Sequence, residues 1–303
     1  MSYVECFDAP LSMSWRATAP AAVVDRGESP LAQRLRGMGS SLFWATQLLS
    51  VPRREAIYAL YAFCREIEDI ARGGASPTVK RTLLSNWRSQ IASLYAGQPQ
   101  HCLTRALCDG VGLYGLRSAD FLAIIDGREM DVPSGIKAPS LPELDLYCER
   151  VAVAPAQLSM RIFGEESSAG ERLARELGRA LQLTLILRDL RKDAERQRLY
   201  LPRELLRTHG ILTVVPNRVL AEPTLAAVCR DLASIAESHY AAAAKTIATC
   251  PRQSVRPAAV LLAIYRTLLH QLLAQGWKDL GDPVRVSTRR KLLLVFRHGW
   301  TGR

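Results

Sequence analysis

The stretch Leu181–Gln182–Leu183–Thr184–Leu185–Ile186–Leu187 runs without interruption into Arg188–Asp189–Leu190–Arg191–Lys192–Asp193. The first seven residues are apolar around the whole helical circumference, with only Gln182 and Thr184 as polar breaks, and a helix of that kind is buried. Asp189 and Asp193 are four apart, so a helix stacks their carboxylates on one face. Like charges at that spacing cost about a few tenths of a kcal/mol, and something must offset them. The pair stands where a helix leaves the core, which is a natural wall for a cavity. Two compensators fit. One is a divalent cation shared with a phosphate group, since Mg²⁺ takes one or two carboxylates together with substrate phosphate oxygens. The other is ordinary ion pairing, because Arg188, Arg191, Lys192, Glu195 and Arg196 surround the pair and a charge-rich helix is commonly a solvated face.

The rest of the chain places that helix among others of its kind. Its 303 residues are 48% hydrophobic and 23% charged, an ordinary globular composition. Apolar residues recur at helical spacing almost throughout, alternating strand patterns are missing, and no tandem repeat is visible. The expectation is one all-α domain over residues 31–303, preceded by a disordered leader through about Pro30 that lacks the pattern of a signal peptide. Seven cysteines are scattered without a C-x-x-C, which argues against a disulfide framework or a zinc site and for a reducing compartment. Five equally dispersed histidines suggest no metal cluster. The apolar stretch from Pro257 to Trp277 is interrupted by Arg266 and His270, so it is not expected to span a membrane.

A formal net charge of +11 points to anionic partners. Nucleic acid is not expected, because no recognition motif or aromatic-interleaved basic patch is present. A polyphosphate substrate and an anionic membrane surface remain. Arg289, Arg290, Lys291 and Arg297 bracket Leu292–Leu293–Leu294–Val295–Phe296, a pattern that suits the lipid interface and equally a docked C-terminal helix. The localisation expected is cytoplasmic, with peripheral contact at the inner membrane face.

A second helix is expected over Glu55 to Ala71. Ala56, Ala59, Leu60, Phe63, Ile67 and Ile70 make its core stripe, while Tyr58, Tyr61, Arg65, Glu68, Asp69 and Arg72 lie on the other side. That face suits a polar cavity lining, or a solvated surface with Arg65–Asp69 and Glu68–Arg72 ion pairs. Antiparallel packing of the two helices brings both acidic ends across one cavity, as helix bundles do when carboxylates on facing helices build a metal site. The chemistry suggested is ionisation of a diphosphate, with cations neutralising the leaving group and apolar walls sheltering a carbocation.

These residues resemble the squalene/phytoene synthase family. The likeness runs from about Gly39 to Arg297 and is strongest in Ser40–Ser41–Leu42–Phe43–Trp44–Ala45, Ala59–Leu60–Tyr61–Ala62–Phe63–Cys64–Arg65–Glu66 and Leu181 through Pro202. Ile125–Asp126–Gly127, Glu129–Met130–Asp131 and Arg256–Pro257–Ala258–Ala259 add to it. The resemblance implies an isoprenoid-synthase-type helical bundle with a central cavity and two acidic motifs that bind Mg²⁺-diphosphate. It implies Asp189, Asp193 and Glu68 as metal ligands, with Asp69 as a catalytic helper. It also implies prenyl diphosphate binding by Ser41, Tyr61, Arg65, Tyr147, Gln182, Arg188, Arg198 and Tyr265. The expected reaction is head-to-head condensation of two farnesyl diphosphates to presqualene diphosphate with release of pyrophosphate, a step toward hopanoids.

Three departures from the family pattern cluster at this site. Glu68 and Arg72 stand where the family has aspartates, and arginine cannot ligate a metal, so Arg72 is expected instead as a fixed positive charge toward diphosphate. Leu185 replaces an asparagine. Val153, Pro155 and Ala156 replace small residues, and Pro155 removes a backbone donor. Two alternatives follow: a synthase using a longer prenyl diphosphate, and a non-catalytic binding or assembly protein on the same scaffold.

Overall fold

A computed structural model describes residues 41–132, 135–281 and 284–301. The leader expected over residues 1–30 lies outside them. Every regular element among the described residues is helical, and the one β-like contact is an isolated parallel bridge between Lys137 and Leu199. The chain opens with α1 (Ser41–Thr46), α2 (Val51–Arg72), α3 (Pro77–Tyr95), α4 (Cys102–Tyr114) and α5 (Ser118–Glu129). It continues with α6 (Leu141–Cys148), a π turn (Glu149–Val153), α7 (Ala154–Phe163), α8 (Ser168–Arg188) and α9 (Leu190–Glu195). Two short helices, α10 (Arg203–Thr208) and α11 (Pro216–Leu220), lead to α12 (Leu225–Ile247) and α13 (Arg252–Gln275). A last helix, α14 (Thr288–Val295), is followed by a π turn over Phe296–Thr301.

One continuous core joins all the longer helices. Helix α8 is its axis and packs most extensively on α12. Both present a stripe of small buried residues, Ala174 and Ala180 on α8 and Ala233, Ala236 and Ala243 on α12, which lets the helix backbones approach closely. Helix α13 is long and apolar enough to cross a membrane by length and composition. Here it packs inside the bundle: Val255, Ala258, Val260, Ile264 and Leu269 are buried, and Arg266 Nε donates to Glu237 of α12 at 2.9 Å.

Pro155 stands at a change of helix geometry. It has no N–H to donate back along the chain, and the turn just before it widens to π geometry, with the Ala154 N–H reaching the Glu149 carbonyl five residues back. The widened turn presses against α8 at Gly178, where a Cβ would lie 2.9 Å from Val153 Cα and 3.0 Å from the Ala152 carbonyl carbon. Val153 is thus buried between helices.

Helix α2 departs from its expected face. Tyr58, assigned by periodicity to the polar side, is 1% exposed, and its hydroxyl accepts from Thr46 Oγ1 at 3.3 Å. Ala56 and Ile70 of the expected stripe are only partly buried. The cause is the polar contact from α1, which turns a side read as open into an interior one. Among the described cysteines, Cys64, Cys108, Cys148, Cys229 and Cys250 are free thiols. Burial pushes Cys64, Cys148 and Cys229 up to about 12, so they stay protonated and inert. Cys102 is disulfide-bonded, which composition did not suggest.

Candidate active site

Two helix ends carry the acidic residues. Helix α8 stops at Arg188, and Asp189 leaves helical geometry at φ −100° and ψ 15° before α9 begins. The one-turn spacing survives the break, because the Asp193 N–H still donates to the Asp189 carbonyl at 2.9 Å. The expected single helix through both aspartates is therefore two helices with Asp189 at the joint. Ending a helix strips its last carbonyls of their partners, and the Trp277 indole N–H supplies one by donating to the Leu187 carbonyl at 2.9 Å. Trp277 adopts left-handed backbone (φ 53°) to reach it. Arg188 holds the Asp189 carboxylate from both sides, Nε to Oδ1 at 2.8 Å and Nη2 to Oδ2 at 2.6 Å.

Asp193 is only 6% exposed, and its Oδ1 is buried without a hydrogen-bond partner. Burial raises its pKa to about 6; Asp189 and Asp131 add to the rise, while Arg72 and Arg198 oppose it.

The end of α2 is wired differently. Arg65 donates Nη1 to Glu68 Oε2 at 2.9 Å and Nη2 to Asp69 Oδ1 at 3.1 Å. Arg72 Nη1 lies 2.8 Å from Glu68 Oε1, and Arg128 Nη2 lies 3.9 Å from Oε2. Burial alone would raise the Glu68 pKa, yet Arg128, Arg72, Arg65 and Lys192 together hold it below its ordinary value. Burial works against the Arg72 charge, but Glu68, Tyr200, Tyr147 and Asp193 outweigh it and raise its pKa. Arg72 thus sits between the two acidic ends, and its Nε is buried without a hydrogen-bond partner. Among the described residues Asp69, 44% exposed, pairs with Arg65 on the outer side of the helix.

Beneath these ends lies a buried polar network. Asp131 accepts from the Tyr200 hydroxyl at 2.6 Å and from the Tyr147 hydroxyl at 3.1 Å. Arg128 Nη1 donates to Tyr147 Oη at 3.0 Å, and the two tyrosine rings stack with centroids 5.1 Å apart. Arg198 donates to the Ala71 carbonyl at 3.2 Å and lies 4.0 Å from Asp131. Arg128, Asp131 and Tyr200 were not singled out in the sequence, although Asp131 and Tyr200 fall within its most informative stretches. Neighbouring Asp126 and Glu129 play another part, gripping Arg88 at 2.6 and 2.5 Å.

A cleft of about 1310 Å³ opens beside the two helix ends. Arg65, Arg188, Asp189, Lys192, Arg285 and Lys291 give it charge, while Leu187, Ile264, Leu268, Leu272, Trp277 and Val284 give it an apolar wall. Of the residues expected at the site, Ser41, Tyr61, Arg65, Arg188, Asp189 and Tyr265 line this cleft. Tyr265 hydrogen-bonds Ser41, and burial above all raises the pKa of both Tyr61 and Tyr265, so both hydroxyls are kept as donors. Glu68, Arg72 and Asp193 are set back from it, and Gln182 is half-buried on α8 outside the lining. Tyr147 and Arg198, expected to meet substrate, are buried in the network below, where the Tyr147 hydroxyl and Arg198 Nη2 are engaged while Arg198 Nη1 is buried without a hydrogen-bond partner. The reason is the Asp131 carboxylate, a buried charge that must collect donors.

The donor set can be tested against Mg²⁺. No group of three or more His, Cys, Asp or Glu side chains among the described residues is arranged to hold a metal ion. Asp189 on the cleft wall and Asp193, with an unsatisfied buried oxygen one turn on, offer two carboxylates. Two carboxylates completed by phosphate oxygens fit Mg²⁺. The Glu68 end does not fit, because its carboxylate is already surrounded by arginines.

A model of the squalene/phytoene synthase family matches residues 35–291. The presqualene diphosphate synthase of Sinorhizobium fredii is 40% identical over 88% of this chain and 95% of its own length. That of Zymomonas mobilis is 41% identical over 94% and 97%. A chloroplastic phytoene synthase of Zea mays is 30% identical over 86% of this chain and 62% of its own. Among solved structures, a dehydrosqualene synthase superposes with a TM-score of 0.76 at 24% identity, over 88% of this chain and 93% of that one. Squalene synthase HpnC from Alicyclobacillus acidocaldarius gives 0.73 at 21%, over 84% and 94%. At those identities the superpositions speak for the fold.

Proposed function

This chain belongs to the squalene/phytoene synthase family and is a prenyltransferase, and we propose that it condenses two farnesyl diphosphates head to head into presqualene diphosphate, releasing pyrophosphate on a route to hopanoids. The observation that carries the reading is the cleft in which a cationic rim and an apolar wall meet at Asp189. The closer match to presqualene diphosphate synthases than to a phytoene synthase favours the shorter prenyl chain.

In this reaction the C1–O bond of one farnesyl diphosphate breaks and its electrons leave with pyrophosphate. The allylic cation is attacked by the C2–C3 double bond of the second molecule, and loss of a proton closes the cyclopropane. Arg65, Arg188 and Lys192 bind the diphosphate oxygens from the rim, and the Tyr61 and Tyr265 hydroxyls donate to them, so negative charge on the leaving group meets preplaced donors. Mg²⁺, when held by Asp189 and Asp193 together with the diphosphate, supplies further charge neutralisation there. Leu187, Ile264, Leu268 and Leu272 keep water from the cation. Glu68 serves as the carboxylate partner of Arg72 rather than as a metal ligand, and Arg72 holds a fixed positive charge behind the two acidic ends.

The test is Mg²⁺-dependent pyrophosphate release from farnesyl diphosphate, with presqualene diphosphate identified by mass. Folded protein showing neither turnover nor metal-dependent binding of a prenyl diphosphate would overturn the reading in favour of a binding protein on this scaffold. Turnover of geranylgeranyl but not farnesyl diphosphate would move it to the longer-chain reaction.

A further inference from the structure

The eight residues of α14 include Leu292, Leu293, Leu294 and Val295, yet none of the helix's side chains is buried. Leu292 is 47% exposed, Leu293 64%, and Phe296 just beyond the helix 60%. Residues three and four apart share a helix face, so Leu292 and Leu293 both fall beside Phe296. Arg289 and Arg290 stand exposed one turn before this apolar face, and exposed Arg297 follows it. From Val284 to the end of the sequence there is no Asp or Glu, so the segment offers only positive charge. Other exposed apolar side chains lie elsewhere: Leu113 and Leu146 singly, Val79 and Leu83 one turn apart on α3, and Leu212, Val214 and Val215 in the loop that leads into α11. An apolar cluster rimmed by polar groups marks an interaction site.

Place matters as much as composition. Thr288 and Lys291 of this same helix, with Arg285 and Ser287 just before it, line the cleft. One short helix therefore contributes to the wall of the cavity and turns leucines and a phenylalanine outward beside it.

We propose that α14 is a docking surface for an anionic lipid bilayer, which seats the cleft against the membrane. Its arginines attract the headgroups while Leu292, Leu293 and Phe296 enter the headgroup–acyl boundary, the division of labour of an interfacial amphipathic helix. An all-basic segment complements a phospholipid surface, whereas a protein partner would need a matching acidic patch around an apolar pocket. The proposal rests on the prenyl-diphosphate reading only for its use: a chain-like apolar substrate and product pass between cleft and bilayer without crossing water.

Vesicle co-sedimentation of the full chain, without substrate, tests it. Binding to vesicles containing phosphatidylglycerol should exceed binding to pure phosphatidylcholine by about tenfold and fall as salt screens the charges. The double variant Leu293→Ser/Phe296→Ser, whose side chains do not line the cleft, should lose binding about tenfold while retaining wild-type circular dichroism and pyrophosphate release. Equal binding to neutral and anionic vesicles, or equal binding by wild type and double variant, would overturn it. So would a change of oligomeric state in the double variant with lipid binding intact, which would make the face a protein interface. Loss of catalysis in wild type with vesicle binding preserved would count against the proposed reaction and leave the docking surface standing.

Discussion

The end of α2 and the joint between α8 and α9 each bring carboxylates to the same place, but they carry opposite electrostatic balances. At α2, Glu68 meets two guanidinium groups within 2.9 Å and a third at 3.9 Å, and its pKa is held low. At the joint, Asp189 is paired with Arg188 among the described residues, and Asp193 keeps a buried oxygen with no hydrogen bond and a pKa raised to about 6. One end is neutralised by the protein's own cations; the other is short of positive charge. A buried carboxylate left in that state costs stability, and the shortage is what an incoming cation relieves. The two ends should therefore respond differently to the same kind of substitution.

The largest effect is expected at Arg72, which faces both ends. Arg72→Met takes from Glu68 its closest partner and leaves Arg65 and Arg128 beside it, so the loss should approach but not exceed the roughly 3–5 kcal/mol of a buried pair that loses one member. Urea unfolding should show it. Arg72→Asp should in addition lower turnover and raise the Mg²⁺ concentration required; improved turnover would instead mark Arg72 as a defect in a weakened enzyme.

Next comes Asp189. Its replacement by Ala should reduce metal-dependent pyrophosphate release by about 100-fold or more, the scale seen when one transition-state charge contact is lost. Asp69→Ala, on the solvent side of α2, should change the rate by less than about twofold, since exposed ion pairs contribute little. Comparable losses from both would erase the distinction between the two ends.

Asp193 allows a test in the metal-free protein. Its folded-state pKa of about 6 lies above the ordinary 3.8. The folded chain therefore binds more protons than the unfolded chain between those values, and stability falls as pH rises through that window. The full cost, about 3 kcal/mol, is present above it. In chelator at pH 8, Asp193→Asn should be more stable than wild type by about that amount, with the gap closing near pH 4. A variant less stable than wild type at pH 8 would show that Asp193 is satisfied in ways the geometry does not reveal. A smaller effect on stability is expected at Trp277: removing its hydrogen bond to Leu187 in Trp277→Phe should cost about 1 kcal/mol, measured as a lowered urea midpoint.

The helices were legible because their apolar spacing is local and strong, and the family motifs fixed how they are assembled. Asp189 and Arg65, which the structure places on the cleft wall, stand toward the ends of such helices. What escaped depends on contacts between distant segments. The break at Asp189 is sustained by Trp277, whose indole N–H reaches the Leu187 carbonyl across 90 residues of sequence. Tyr58 turned inward because Thr46 of another helix meets it. Arg128 and Asp131 gain their part only from Tyr147, Tyr200 and Arg198, which close around them from other segments. Linear spacing cannot tell a cavity-lining tyrosine from one whose hydroxyl donates to a buried carboxylate, as that of Tyr147 does to Asp131.

The most direct test of the asymmetry between the two ends is calorimetric titration of Mg²⁺ in the presence of a non-ionising thio analogue of farnesyl diphosphate, on wild type, Asp189→Asn and Glu68→Gln. The expected result is an apparent Mg²⁺ affinity about tenfold lower or worse in Asp189→Asn, because one of two protein carboxylates is lost, and unchanged within about twofold in Glu68→Gln, which ligates no metal. Equal losses in the two variants would place metal at both ends and contradict the division drawn between them.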